Sequence, residues 1–352
     1  MNSNNDYTIR DIDPYLELRK IENLCFEGGG VLGFAYIGAL KKLESLELLC
    51  NIKRYAGSSV GAVCAAALAC NCSIECLEKH VLTVDPNTFQ DGGNIFQMTW
   101  RLYKNYGIYK GNAFKEWMGN ILFDCCGNKN ITFKESYERF GKTLIITGSI
   151  LNTQDVEYFS KDTTPNMKII DAIRISIGFP LVFEAIRMNG NLYVDGGLLQ
   201  NYPIHIFHDY DMIDNINCYH KTLGLKLLSQ EEFENKPTPI GNIFSYIITL
   251  LNSFFVQISK IHIKNEDWER SIKINTGNIP PLDFNISQEQ KLYLFANGAE
   301  AVDKYYSEWM LHNQVKSSPD VIPDVIPDVI SDTTSDATSD ATSDATSDVD
   351  LT

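Results

Sequence analysis

Long apolar runs are missing from this 352-residue sequence. Its most apolar segment, residues 243–263, is interrupted by Ser, Thr, Asn and Gln, so it lacks the roughly 20 consecutive apolar residues that cross a bilayer. We expect a largely buried amphipathic helix there instead of a transmembrane helix. Residues 1–14 are polar, with neither a basic start nor an apolar centre, and therefore predict no signal peptide. These absences favour a cytoplasmic protein.

Positive charge is also scarce, because 30 Lys and Arg face 45 Asp and Glu and the net charge is −15. This balance argues against nucleic-acid binding and against electrostatic docking on anionic membranes. Residues 317–352 hold nine Asp in Pro-Asp-Val-Ile and Ser-Asp-x-Thr repeats, with no Lys, Arg or aromatic residue. Such a segment cannot bury enough apolar surface to fold, so we predict a disordered acidic tail over residues 315–352.

The nine cysteines are odd in number and scattered, which predicts free thiols in a reducing compartment. Cys70, Cys72, Cys76 and His80 could be interpreted as four zinc ligands. Their spacing fits no common structural zinc pattern, and small cysteines on a buried helix explain it better. The sequence therefore predicts neither a metal nor a cofactor.

Three glycine-rich motifs each follow a short strand-like run. They are Gly28-Gly29-Gly30-Val31-Leu32-Gly33 after residues 24–26, Gly57-Ser58-Ser59-Val60-Gly61 after residues 52–56, and Asp195-Gly196-Gly197 after residues 192–194. Open α/β sheets bind ligands at the carboxyl ends of their strands. We therefore expect the three motifs to meet in one site of a single large α/β domain.

Ser59 is the predicted nucleophile. A G-x-S-x-G sequence between a strand and a helix forms a sharp turn that exposes the serine hydroxyl, and the helix that begins at Val60 has unpaired N–H groups beside it. Asp195 is the predicted base, because it is the conspicuous acid and a Gly-Gly turn holds it. A Ser-Asp-His triad remains an alternative, since four histidines follow Asp195. These are His205, His208, His220 and His262, none of which lies in a glycine-rich turn.

The N–H groups of Gly28, Gly29, Gly30 and Val31 are predicted to form an oxyanion hole, because consecutive glycines before a helix direct several donors to one point. The same run, with Gly33, satisfies the dinucleotide-binding fingerprint, which is a second alternative. That fold requires an acidic residue at the end of the second strand. This sequence carries the Ser59 motif there, which argues against a dinucleotide site.

These motifs resemble the signature blocks of the patatin-like phospholipases. A fourth block, Ser176-x-x-x-Pro180-x-x-Phe183, is similar to that family's loop before the aspartate, and Phe284-Asn285-Ile286-Ser287 with Gly298 is similar to its C-terminal part. The resemblance covers residues 21–314, between an N-terminal extension over residues 1–20 and the tail. Many relatives carry Arg or Lys where Val31 and Leu32 stand, so the resemblance does not extend to a charged contact with a lipid phosphate.

The resemblance implies a three-layer α/β fold, with a central mostly parallel sheet flanked by helices. It also implies a lipid acyl hydrolase that uses a Ser59–Asp195 dyad, without a metal, on phospholipids or other acyl lipids. Such an enzyme makes transient peripheral contact with a membrane surface. A catalytically silent lipid-binding protein is the remaining alternative.

The rest of the pattern predicts alternating elements. Residues 143–147 and 156–159 are expected to be strands, and residues 41–49 and 167–177 to belong to helices. Between residues 83 and 130, aromatic residues at loose helical spacing favour a helical cap packed on the sheet. A functional alternative is that the same aromatic residues line an acyl-chain groove or form a membrane-facing lid.

Overall fold

The computed structural model describes residues 18, 20–207, 221–229, 240–241 and 243–316. Its centre is an eight-stranded sheet of order β10-β9-β1-β2-β4-β8-β7, in which β5 also pairs with β4. β10, β9, β1, β2 and β4 are parallel, whereas β5 and β8 run antiparallel to β4. β3 and β6 form a separate two-stranded sheet. The strands are β1 (Asn23–Phe26), β2 (Arg54–Gly57), β3 (Gly107–Tyr109), β4 (Thr143–Ile150), β5 (Asp155–Ser160), β6 (Leu181–Phe183), β7 (Ile186–Met188), β8 (Asn191–Asp195), β9 (Thr222–Leu228) and β10 (Ser271–Asn275).

Eleven α-helices accompany this sheet in the described part of the chain. They are α1 (Phe34–Ser45), α2 (Val60–Ala69), α3 (Ile74–Thr83), α4 (Ile95–Asn105), α5 (Asn112–Cys126), α6 (Phe133–Phe140), α7 (Ile169–Ser176), α8 (Gly197–Gln200), α9 (Ile243–His262), α10 (Asn265–Glu269) and α11 (Gln288–Lys316). Short 3-10 turns cover Gly30–Gly33, Pro86–Phe89 and Ile204–Phe207.

Both faces of the sheet are buried along β1, β4 and β9. Along β1, Leu24 and Phe26 belong to the main apolar core, whereas Cys25 lies in a smaller cluster with Tyr202 and Phe207. This alternation follows from the two-residue period of a strand, and the near-continuous apolar character of β1 and β4 follows from burial on both sides. The predicted mostly parallel α/β sheet between helical layers is therefore confirmed.

The predicted elements are largely where the sequence places them. The expected strands correspond to β1, β2, β4, β5 and β8, and the expected helix over residues 167–177 is α7. The helix after the glycine loop ends at Ser45 and not at Leu49. It ends early because Glu47 adopts a φ of 56°, in the left-handed region that no helix continues through.

The segment between residues 83 and 130 is helical, as predicted, but its aromatics divide into two groups. Phe114 and Trp117 of α5 pack with Phe89, their rings 4.9–5.4 Å apart. Trp100 and Tyr103 of α4 are instead 64% and 81% exposed. Helix α4 therefore presents an aromatic surface outward, while α5 turns Phe114 and Trp117 inward and leaves Phe123 exposed.

The expectation that residues 243–263 form a largely buried helix is wrong in one respect. The helix is present as α9, yet Ile243, Tyr246, Leu250 and Phe254 are exposed along it. Their spacing of three to four residues places them on one apolar stripe. None of the described helices combines the length and hydropathy of a membrane-spanning segment.

The prediction that all cysteines are free thiols is also wrong. Cys72, just before α3, is disulfide-bonded to Cys125 in the last turn of α5. The sequence could not show this pairing, because 53 residues separate the two cysteines and helix packing brings them together. The predicted N-terminal extension lies mostly outside the described residues, and the predicted tail, apart from the end of α11, lies outside them too; both stay predictions.

Candidate active site

Ser59 occupies the turn between β2 and α2. Its φ of 49° and ψ of −125° are unusual for a residue with a side chain, and the Ser59 N–H donates to Ser176 Oγ at 2.9 Å. A Cβ on Gly61 would lie 2.6 Å from the carbonyl oxygens of Phe26 and Glu27. Glycine is therefore required there, because the first turn of α2 packs directly against the end of β1.

Asp195 closes β8 and is 1% exposed. Its N–H donates to the Gly178 carbonyl at 2.9 Å, and its Oδ1 accepts the Gly197 N–H at 2.7 Å. Burial raises the pKa of Asp195 to about 7, against the opposing effect of the Gly197 N–H and of the nearby Ser59 hydroxyl. A carboxylate with this pKa accepts a proton near neutral pH far better than an ordinary aspartate.

The glycine loop lies against the nucleophile. A Cβ on Gly28 would lie 3.2 Å from Ser59 Cβ, so the loop and the Ser59 turn are in direct contact. Gly30 has a φ of +56°, and the Gly30–Gly33 turn leads straight into α1. The end of β1 thus brings the loop to the edge of the sheet where Ser59 and Asp195 also lie, as the three motifs predict.

The four predicted oxyanion donors differ in what they already bind. The Gly28 N–H donates to the Asn201 carbonyl at 3.0 Å, and the Val31 N–H donates to the Pro281 carbonyl at 2.9 Å. The N–H groups of Gly29 and Gly30 have no hydrogen-bond acceptor among the described residues. These two groups are therefore available to a ligand, whereas those of Gly28 and Val31 hold the loop in place.

A buried charge pair that the motifs do not reveal lies next to the loop. Glu27 precedes Gly28, and its Oε1 accepts from Lys226 Nζ at 2.6 Å and from Asn201 Nδ2 at 3.3 Å. Its Oε2 accepts the Leu227 N–H at 2.9 Å. One sequence signal was available, because Lys226 is the lone charge in the otherwise apolar run of β9.

The three motifs open onto a cavity of about 530 Å³. Ser59, Asp195 and the glycine loop line it, and eight aromatic side chains contribute to the remaining wall. These aromatic residues are Phe34, Phe89, Phe114, Trp117, Phe179, Phe183, Phe255 and Phe284. Among the described residues of the lining, Lys226 is the one cationic side chain, and Glu27 pairs with it. An apolar chain with an ester at one end fits this combination of surfaces.

Ser59, Asp195 and the glycine loop therefore come together in one cavity, while the other motif glycines and the histidines have different places. The motif glycines 33, 57, 61, 196 and 197 serve close packing around the site, as at Gly196, where a Cβ would lie 2.6 Å from the Thr147 carbonyl carbon. His205 does not line the cavity. His208 and His220, and the side chain of His262, lie outside the described residues, so the Ser-Asp-His alternative is addressed for His205 alone.

Known proteins are similar to this chain in sequence and in fold. A sequence model of patatin-like phospholipases matches residues 24–208, more than half of the chain. An uncharacterized protein of Acanthamoeba polyphaga mimivirus is 33% identical over 303 residues, which cover 83% of this chain and 96% of that protein. A probable lipid hydrolase of Invertebrate iridescent virus 6 is 27% identical over 207 residues, which cover 56% of this chain and 68% of that protein.

Among solved structures, VipD from Legionella pneumophila aligns with a TM-score of 0.55 at 17% identity, over 82% of this chain and 67% of VipD. This likeness shows a common fold. The match over residues 24–208 and the mimivirus relative show the family directly. The chain belongs to the patatin-like phospholipase family.

Proposed function

We propose that this chain is a lipid acyl hydrolase of the phospholipase A type, with Ser59 as nucleophile and Asp195 as general base. The observation that carries the proposal is that Ser59, held in a sharp turn, and the buried Asp195 carboxylate line the same largely apolar cavity. Family membership and the relative named a probable lipid hydrolase support the same reaction class.

The reaction begins when Asp195 accepts the Ser59 proton and Ser59 Oγ attacks the ester carbonyl. The resulting oxyanion is stabilised by the N–H groups of Gly29 and Gly30, the two donors in the loop that have no acceptor among the described residues. The alcohol leaves with the proton held by Asp195. Asp195 then activates a water molecule, which hydrolyses the acyl-enzyme and releases the fatty acid.

The cavity selects for the acyl chain and not for a phosphate group. Val31 and Leu32 are buried and apolar, and Lys226 is neutralised by Glu27. The substrates are therefore acyl esters of lipids, phospholipids included, without a charge-based preference at the loop. Digestion of a defined lipid mixture, read by mass spectrometry, tests this: strict dependence on one anionic head group would contradict it.

We also propose that α9 makes the transient contact with a membrane surface. One side of this helix lines the cavity through Asn252 and Phe255, and another exposes the apolar stripe of Ile243, Tyr246, Leu250 and Phe254. An amphipathic helix with an exposed apolar stripe binds at the lipid interface. A lipid that leaves the bilayer at α9 would enter the cavity directly.

Substitution of the dyad tests the reaction. Ser59→Ala and Asp195→Asn are each expected to lower hydrolysis of a soluble short-chain ester by about 10³-fold or more, with unchanged circular dichroism. His205→Gln is the matched control and should retain most activity. Full activity in Ser59→Ala would end the proposal, and complete loss in His205→Gln would replace the dyad with a triad.

A further inference from the structure

A cluster of metal-binding side chains lies outside the proposed active site, where α3 meets α5. The sulfur atoms of Cys72, Cys76 and Cys125 lie within 4.8 Å of one another. The ligand atoms of Cys76, His80 and Asp124 lie within 4.8 Å of one another as well. Cys76 is a free thiol, and Cys72 and Cys125 are joined in the disulfide described above.

Helix geometry explains why these side chains converge. Ile74, Leu77 and Val81 form the buried face of α3, and Cys76 and His80, four residues apart, share a neighbouring face. Cys125 and Asp124 reach this face from the last turn of α5. Cys72 precedes α3, and the helix cap at Ser73, whose side chain accepts the Cys76 N–H at 3.1 Å, fixes its place.

His80 is already held as a metal-binding histidine would be. Its Nε2 lies 2.8 Å from Asp124 Oδ2, which leaves Nδ1 as the ring nitrogen for another partner. Metal-bound histidines commonly donate their second ring N–H to a carboxylate, because this fixes the ring and raises its basicity. His80 is therefore suited to bind the metal directly, and Asp124 to hold the His80 ring by a hydrogen bond.

We infer that, once a thiol reductant has supplied two electrons and two protons to open the Cys72–Cys125 disulfide, the two cysteines join Cys76 and His80 to bind one Zn²⁺ ion. Three sulfurs and one imidazole are a known structural zinc set, and thiolates favour zinc over the hard cations. Binding converts three thiols to thiolates and releases three protons, while His80 stays neutral. Tetrahedral Zn–S bonds of about 2.3 Å place sulfurs about 3.8 Å apart, so the Cys72 and Cys125 side chains rotate away from each other.

The site would link two walls of the acyl cavity. Val81 of α3 and Phe114 and Trp117 of α5 all line that cavity. The ion and the disulfide exclude each other, because zinc requires both sulfurs as thiolates. Sequence spacing brings together Cys72, Cys76 and His80 but not Cys125, which comes from a different helix. The inference does not rest on the proposed hydrolase function.

Cobalt titration of the full-length, fully reduced, metal-free protein tests the site. We expect one Co²⁺ per chain, with a thiolate-to-cobalt charge-transfer band and the visible bands of tetrahedral cobalt, and displacement by Zn²⁺. Competition with a chromophoric chelator gives the zinc affinity. Asp124→Asn should weaken zinc binding by about 10- to 100-fold, as expected for an outer partner of a ligand. Cys76→Ser should weaken it further.

Cys50→Ser is the matched control, because Cys50 is an exposed free cysteine outside the cluster. It should leave both the cobalt spectrum and zinc affinity unchanged. Circular dichroism and thermal melting verify that each variant is folded. The inference fails if Cys76→Ser binds zinc as tightly as the parent. It also fails if, with a disulfide oxidant such as oxidised glutathione added, the reduced protein re-forms the Cys72–Cys125 disulfide as fast with equimolar Zn²⁺ as without it.

Discussion

Lys226 Nζ lies 2.6 Å from Glu27 Oε1, and both side chains are 5% exposed. Glu27 is the residue directly before the glycine loop, so the pair connects the end of β9 to the start of the proposed oxyanion hole. A buried ion pair adds little to stability over an apolar pair, but loss of one partner leaves the other charge buried and unpaired. The pair therefore fixes the position of the loop more than it stabilises the fold.

Lys226→Met should lower the free energy of unfolding by roughly 3–5 kcal/mol, because Glu27 loses its counter-ion. The double variant Glu27→Gln/Lys226→Met should recover part of that loss in chemical denaturation. Both variants should hydrolyse a soluble ester at least about 10-fold more slowly than the parent, because a displaced loop no longer donates to the oxyanion. Wild-type rates in the stable double variant would show that the pair does not position the loop.

The pKa of Asp195 predicts how activity depends on pH. If Asp195 is the base, hydrolysis of a soluble ester should rise with a slope of one proton through pH about 7, and then level off. The pH profile of kcat/KM measures this value for the free enzyme. A rising limb near pH 4, the range of an ordinary carboxylate, would exclude a buried Asp195 as the base.

The same pKa predicts the opposite trend for stability. Because the folded-state pKa of Asp195 lies above its ordinary value of 3.8, the folded state binds more protons than the unfolded state between pH about 4 and 7. Stability from this group falls as pH rises through that window. Asp195→Asn keeps an acceptor for the Gly197 N–H and removes the charge. Its gain in Tm over the parent should be larger at pH 8 than at pH 4.

Gly29 offers the cleanest test of the oxyanion loop. Its φ of −177° is extended, and an added Cβ would meet Leu227 Cδ1, the end of a flexible side chain, so alanine can be accommodated. Gly29→Ala should shift the loop and lower the acylation rate by about 10²-fold, the scale of one lost oxyanion donor. Stopped-flow measurement of acylation checks this.

Gly30→Ala is a different case, because Gly30 has a φ of +56° and an added Cβ would meet the Pro281 backbone. We expect this variant to lose stability as well as activity. Weaker lipid binding with an unchanged acylation rate in Gly29→Ala would indicate that the loop binds substrate without stabilising the oxyanion.

The exposed stripe of α9 predicts a difference between substrates. Leu250→Ser/Phe254→Ser should reduce hydrolysis of lipid in neutral vesicles by about 10-fold, because two apolar side chains leave the interface, and should leave a soluble ester unaffected. Leu311→Ser, at an apolar position on α11 that is even more exposed, is the control. Equal losses in both variants would remove α9 as the contact surface.

The site was predictable from the sequence because its residues lie in motifs at strand ends. Ser59 and the glycine loop meet because the parallel strands β1 and β2 bring their carboxyl ends to one edge of the sheet. Asp195 reaches them from β8, which runs antiparallel to β4 and pairs Asp195 with Gly148. The contacts of Glu27 with Lys226, and of Cys72 with Cys125, were not predictable in the same way. They join residues far apart in sequence, and only the packing of β9 on β1 and of α3 on α5 determines them.

The exposure of α9 was missed for a related reason. Its apolar residues predict an amphipathic helix, but periodicity cannot distinguish an apolar face that packs on the protein from one that meets a lipid surface. The early end of α1 was missed because Glu47 carries no glycine or proline signal for its left-handed conformation.

The acidic tail predicts a charge effect at membranes and no effect on chemistry. Its nine Asp in residues 317–352 face no Lys or Arg, and they lie beyond the described end of α11 at Lys316. A chain truncated after Lys316 should therefore hydrolyse a soluble ester at the parent rate. On anionic vesicles at low salt it should bind as well or better, because repulsion is reduced, and the difference should fade as salt screens the charges. Co-sedimentation with vesicles across a salt series measures this. Loss of soluble-ester activity on truncation would mean that the tail is an ordered part of the site, and the predicted domain boundary near residue 314 would be wrong.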